Sequence, residues 1–193
     1  MVEFLRPTRG GFLRPFGCGW FIREYLLGTG PEGATKIDPM YGATQSDMCY
    51  QYKESLAHAT AQDRAEKIIS NMVVAGTDVT EAAADKIYER ELKKVSRKFS
   101  HMRYHSFLMY FGVLKRLGWV EETGQTETST LQDKIPEAPS RVYYRLTEAG
   151  KAASDVLWSN PLFTLYPENG ANHRRKSEKQ KSVCVRRLPF LLG

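Results

Sequence analysis

Several things are scarce in this 193-residue chain, and each scarcity excludes something. It has three cysteines, Cys18, Cys49 and Cys184, far apart and odd in number. They form no CxxC pair, so neither a disulfide framework nor a zinc ribbon is expected, and a reducing compartment is the simplest setting. No apolar run approaches the roughly 18 residues of a bilayer-crossing helix. Met1 to Glu3 leads into arginines and prolines instead of a secretory apolar core. No Walker loop, no GxGxxG and no Ser-His-Asp order occurs. Gly28-Thr29-Gly30-Pro31-Glu32-Gly33 is glycine-rich, but it follows a helical pattern instead of opening one, and reads as a turn. No enzyme activity and no cofactor are therefore expected.

Charge is present but unevenly placed. The formal net charge is +6. From His173 to Arg187 there are seven bases and one acid, Glu178, so that tail alone accounts for the whole excess. It includes Arg174, Arg175 and Lys176, and its low complexity reads as disorder with polyanion affinity or as a plain solubilising run. A second block, Lys86 to Arg116, holds nine bases against Glu89 and Glu91. Such a block attracts polyanions by counterion release; its other reading is a solvated helix face.

The first fifteen residues repeat a short unit, Phe4-Leu5-Arg6-Pro7 and Phe12-Leu13-Arg14-Pro15, around Gly10-Gly11. Proline and glycine oppose a helix there, so an extended arm is expected. Apolar spacing then predicts helices over about 18–27, 46–58 and 63–75, with a short strand near 34–37. Gly76 breaks the pattern. Asp78 and Glu81 have capping-box spacing and predict a helix from there to about Lys98, with Ala84, Tyr88, Leu92, Val95 and Phe99 as its buried stripe. The domains expected are an arm (1–15), one folded unit (16–166) and a basic tail (167–193).

The most informative segment comes next. A helix is predicted from His101 to Leu117, ended by Gly118. Trp119-Val120-Glu121-Glu122 reads as a strand, 124–140 as a flexible polar excursion, and Arg141 to Leu146 as an alternating strand. Thr147 caps a last helix that runs to about Trp158. The residues Leu114-Lys115-Arg116-Leu117-Gly118-Trp119, followed by Tyr144-Arg145-Leu146-Thr147-Glu148-Ala149-Gly150, resemble winged helix-turn-helix regulators of the MarR and PadR kind. In those a recognition helix ends in an L..LG pattern and the second wing strand in Y.LT..G. The resemblance covers about residues 99–158.

The resemblance implies a mostly α chain with a small antiparallel hairpin, an α+β winged helix-turn-helix with extra N-terminal helices. It implies double-stranded DNA as partner, a homodimer, a role in transcription regulation and no membrane. The place would be the cytoplasm with the nucleoid, or the nucleus of a nucleated cell. On a helical wheel Tyr104, Phe107, Leu108, Phe111 and Leu114 share the core side. His101, Met102, His105, Ser106, Met109, Val113 and Arg116 share the open side, with Arg103 at its edge. The DNA-contact candidates are thus His101, Arg103, His105, Ser106 and Arg116 on the helix, Arg141, Tyr143 and Arg145 on the wing, and Arg174, Arg175 and Lys176 in the tail. His101 and His105 have metal-chelating spacing, but no Glu follows His101 and no metal is expected. The apolar members of the open side, Met102, Met109 and Val113, suit a second reading, a winged-helix scaffold that binds protein.

Overall fold

The computed structural model describes residues 6–7, 13–14, 16–31, 33–95 and 104–167. The two copies of the N-terminal repeat meet: β1 (Arg6–Pro7) pairs antiparallel with β2 (Leu13–Arg14). Helix α1 (Cys18–Leu26) buries Phe21, Ile22, Tyr25 and Leu26, and ends where Leu27 N–H bonds Arg23 O. No strand forms at 34–37. The strand lies later, at β3 (Ala43–Thr44), and runs directly into α2 (Gln45–Val74).

Helix α2 is one rod of 30 residues, where two helices were expected. No glycine or proline interrupts it. Thr60, at the expected break, donates its hydroxyl to Leu56 O at 2.7 Å and so stays inside the helix. At 1.5 Å per residue the rod is about 45 Å long. Its first half supplies Met48, Cys49, Tyr52 and Leu56 to the main core. Its second half buries Ala61 and Ala65, and α3 (Glu81–Lys94) packs chiefly on α2, with His58 Nδ1 and the Tyr88 hydroxyl 2.5 Å apart. The Asp78–Glu81 capping box does not form. The chain enters α3 at Thr80, whose carbonyl takes the Ala84 N–H at 3.0 Å. Ile87 and Glu91 are the buried positions, and Ala84, Tyr88, Leu92 and Val95 are only half-buried, because among the described residues no third layer covers the pair. Phe99 lies outside the described residues.

Helix α4 (Tyr104–Arg116) ends in a Schellman motif: Trp119 N–H bonds Leu114 O, and Gly118 N–H bonds Lys115 O, both at 3.0 Å. Gly118 has φ +66°, as that motif requires. Strands β4 (Val120–Glu127) and β5 (Arg141–Leu146) pair antiparallel from Val120↔Leu146 to Glu127↔Arg141, with a register shift between Glu122 and Thr126. Strand β3 adds to the other edge of β5 through Ala43↔Tyr144, giving a three-stranded antiparallel sheet in the order β3-β5-β4. The protein is thus mostly helical with a small antiparallel sheet, an α+β arrangement.

Two expectations near the C-terminal side fail for identifiable reasons. The excursion is shorter than expected, since β4 runs on to Glu127, and it is hydrogen-bonded: Gln132 takes Ser129 N–H at 2.9 Å and donates to Ala138 O at 2.7 Å. The helix expected to run to about Trp158 is two short pieces, α5 (Glu148–Ala152) and α6 (Asp155–Ser159), and a further short helix, α7 (Pro161–Leu165), follows. The break at Ala153 turns the chain back, so that Trp158 reaches Gly150 O at 2.9 Å and packs 4.7 Å from the Trp119 ring. An Arg23–Asp155 ion pair ties α6 to α1. The main core gathers α1, the start of α2, α4, the sheet and Trp158. Among the described residues no helix is long and apolar enough to cross a membrane.

Candidate nucleic-acid interface

The first turns of α4 are open. Tyr104, His105 and Ser106 are exposed, and Met109 is 61% exposed. His105 and Ser106 therefore lie where the sequence placed them. Tyr104 does not: expected in the core, it is 45% exposed, because it precedes the first buried residue of the helix, Phe107. Val113 departs in the opposite sense. Expected on the open face, it is buried, and α7 packs against α4. Arg116 is held on the same side, donating to the Tyr166 hydroxyl at 3.0 Å with its guanidinium 5.9 Å from that ring. The open face of α4 is thus confined to its N-terminal half. His101, Met102 and Arg103 lie outside the described residues, as do Arg174, Arg175 and Lys176.

Arg141 and Arg145 lie on the hairpin strand β5, and each already holds a carboxylate. Arg145 Nε lies 2.8 Å from Glu121, its direct cross-strand partner in the register. Arg141 is the centre of a larger cluster. Its guanidinium reaches Glu127 on β4 and Asp47 on α2, each at 2.6 Å. It also donates to Ser46 Oγ at 2.6 Å and Thr44 Oγ1 at 3.2 Å. Tyr143 donates its hydroxyl to the same Glu127 at 2.7 Å, and that bond raises the phenol's pKa. Arg141 and Tyr143 do share one side, as their alternation predicted.

Lys115 completes the set. Its ammonium sits 3.0 Å from Glu122 and 3.3 Å from the Tyr144 hydroxyl, 5.0 Å from the centre of that ring. The hydrogen bond to Glu122 raises the lysine's pKa, and the same bond lowers that of Glu122. Both side chains are about half exposed, so the pair carries little net stability.

The sequence alone did not show Glu121 and Glu127 as partners of these arginines. Thr44, Ser46 and Asp47 were missed as well. A signal was there: Thr44-x-x-Asp47 has N-cap spacing, and Thr44 Oγ1 takes the Asp47 N–H at 3.2 Å to start α2. Cys18 and Cys49 are buried and form no disulfide among the described residues, and burial raises the Cys49 pKa. Among the described residues no group of three metal-ligating side chains converges. A cleft of about 530 Å³ opens beside the sheet, lined by Met40, Leu146, Glu121, Arg145, Glu148 and Lys151. Its charged groups are mutually paired, Arg145 with Glu121 and Lys151 with Glu148 at 2.7 Å.

No family model, curated protein or solved structure matches this chain.

Proposed function

We propose that this chain is a winged-helix protein that binds double-stranded DNA as a transcriptional regulator, working as a homodimer in the nucleoid or the nucleus. The observation that carries the reading is the unit from α4 to α5. A helix with an open N-terminal half is stopped by a Schellman glycine and followed by an antiparallel hairpin. Strand β3 braces that hairpin from its other edge. A helix entering a major groove needs polar side chains at its free end, and His105 and Ser106 supply them there.

A second reading has its own support. The wing cations are internally neutralised, and Tyr104 and Met109 expose large apolar surface. Both features suit a winged-helix scaffold that binds protein. One experiment separates the two. Ser106→Glu and His105→Glu put negative charge on exposed positions and leave the core intact. Gel shift against a pool of random duplexes, followed by sequencing of the bound fraction, is expected to show selected sites for the wild-type chain and their loss in both variants. Wild-type selection that both variants retain rejects α4 as the reading element. No selection at all favours the scaffold.

A further inference from the structure

The cations around the wing are occupied by carboxylates: Arg141 by Asp47 and Glu127, Arg145 by Glu121, Lys115 by Glu122. Those on α3 are not. Lys86, Arg90 and Lys93 follow one another at four and three residues, so they share one helix face, and all three are exposed. Neither Lys86 nor Lys93 has a carboxylate within ion-pair distance among the described residues. Arg90 shares Glu91 with Lys94, at 3.3 and 2.8 Å. One buried carboxylate thus faces two cations, and the exposed Glu89 is the other acid beside the row; four bases against two acids leave residues 86–94 at a formal +2.

Charge is also graded along α3. The acids Glu81 and Asp85 stand in the half next to the Gly76 turn. Arg90, Lys93 and Lys94 stand in the other half with Glu89 and Glu91, and Lys86 follows Asp85 directly. Among the described residues α3 packs chiefly on α2, and Lys86, Arg90 and Lys93 are exposed.

We propose that the row Lys86, Arg90 and Lys93 is a contact surface for the phosphate backbone of duplex DNA, and that this row, more than the wing, supplies the sequence-independent part of binding. The inference rests on the DNA-binding reading above. Its physical basis is ion exchange. A free lysine that meets a phosphate releases a condensed counterion from the DNA at no cost to the protein. An arginine already held by a carboxylate must first give up that partner, and the carboxylate then repels the phosphate. Dimensions agree. From Lys86 to Lys93 the helix rises about 10 Å, and a DNA strand advances about 3.4 Å per phosphate. Three cations therefore span about three phosphates.

The test uses the full chain and a fluorescent random-sequence duplex of about three helical turns, with binding followed by anisotropy across a salt series. The double variant Lys86→Gln/Lys93→Gln keeps helix propensity nearly unchanged. Its slope of log affinity against log salt is expected to be shallower than the wild type's by roughly 2, at about 0.9 per phosphate contact. Lys36→Gln, an exposed lysine on the loop before β3, is the control and should leave the slope unchanged. If the wild type binds and the double variant has the same slope, the α3 surface is wrong and the DNA reading stands. An equal fall in the control also overturns the surface, since any lysine would then do. If the wild type binds no duplex, the DNA reading fails and takes this inference with it.

Discussion

Gly150→Ala and Gly112→Ala replace glycines in short and long helices, at positions without positive φ. Helix propensity alone favours both changes, by about 1 kcal/mol each. Their surroundings differ. A Cβ on Gly112 meets nothing within 4 Å. A Cβ on Gly150 would lie 2.2 Å from Trp119 O and 3.0 Å from Trp119 C, both backbone atoms. The first turn of α5 must then retreat by about 1 Å to restore ordinary contact. Three hydrogen bonds hold it in place: Thr147 N–H to Trp119 O at 3.1 Å, Thr147 Oγ1 to Gly118 O at 2.6 Å, and Trp158 Nε1 to Gly150 O at 2.9 Å. Losing one or two costs about 1 kcal/mol each, and overpacking adds about 1–3 kcal/mol. After the propensity gain, Gly150→Ala should destabilise by about 2 kcal/mol. In a chain of this size that lowers Tm by roughly 4–8 °C. Gly112→Ala should raise Tm by a few degrees. Thermal melts followed by circular dichroism decide it. A Gly150→Ala protein that melts at or above the wild type refutes the close approach of α5 to the Gly118–Trp119 corner.

Two further outcomes are expected. Thr44→Val removes the cap of α2 and one partner of Arg141 from a site that is 1% exposed, and should cost about 1–2 kcal/mol in urea unfolding; a loss below a few tenths would show that Asp47 caps the helix without it. Tyr25 tests the core by pH. Burial first, and the charge of Asp47 second, push its phenol from 10.0 up to about 12. A folded-state pKa above the unfolded one means stability that is complete below pH 10 and is lost as pH rises towards 12. Alkaline unfolding curves should therefore fall less steeply for Tyr25→Phe than for the wild type, and equal slopes would count against the buried phenol.

Local signals made part of this fold legible. Gly118 after Leu114 and Leu117 gave the end of α4, because a left-handed glycine is what a Schellman motif needs. Thr147 gave the start of α5, where its Oγ1 takes the Gly150 N–H at 3.0 Å. The alternation of 141–146 gave β5 with its bounds. The motif glycine at 150 was visible as a letter, but its reason, the Trp119 carbonyl against its Cα, required the packed corner. What stayed hidden depends on distant partners. Strand β3 has two residues, too few for periodicity, and exists only because β5 pairs with it. Val113 and Arg116 changed surroundings because α7 and Tyr166 approach α4, and nothing in 104–116 announces them.

The candidate site shows the same division with a chemical consequence. Arg141, Tyr143 and Arg145 were placed correctly on one side of a strand, yet their electrostatic state was set elsewhere. Asp47 lies 94 positions before Arg141 in the chain, and Glu127 faces it across the hairpin. A basic residue counts towards phosphate binding only to the extent that its charge is unspent. By that measure Arg141 and Arg145 are spent, whereas Lys86 and Lys93, on a helix of four acids and four bases, hold no ion-pair partner among the described residues. The positions that a charge count ranks as equals, Arg141 and Lys86, are therefore separated by their partners. Any duplex that approaches the wing must replace Glu127 and Asp47 with its own phosphates. One that approaches α3 meets Lys86 and Lys93, which hold no carboxylate in ion-pair contact among the described residues, with the exposed Glu89 beside them.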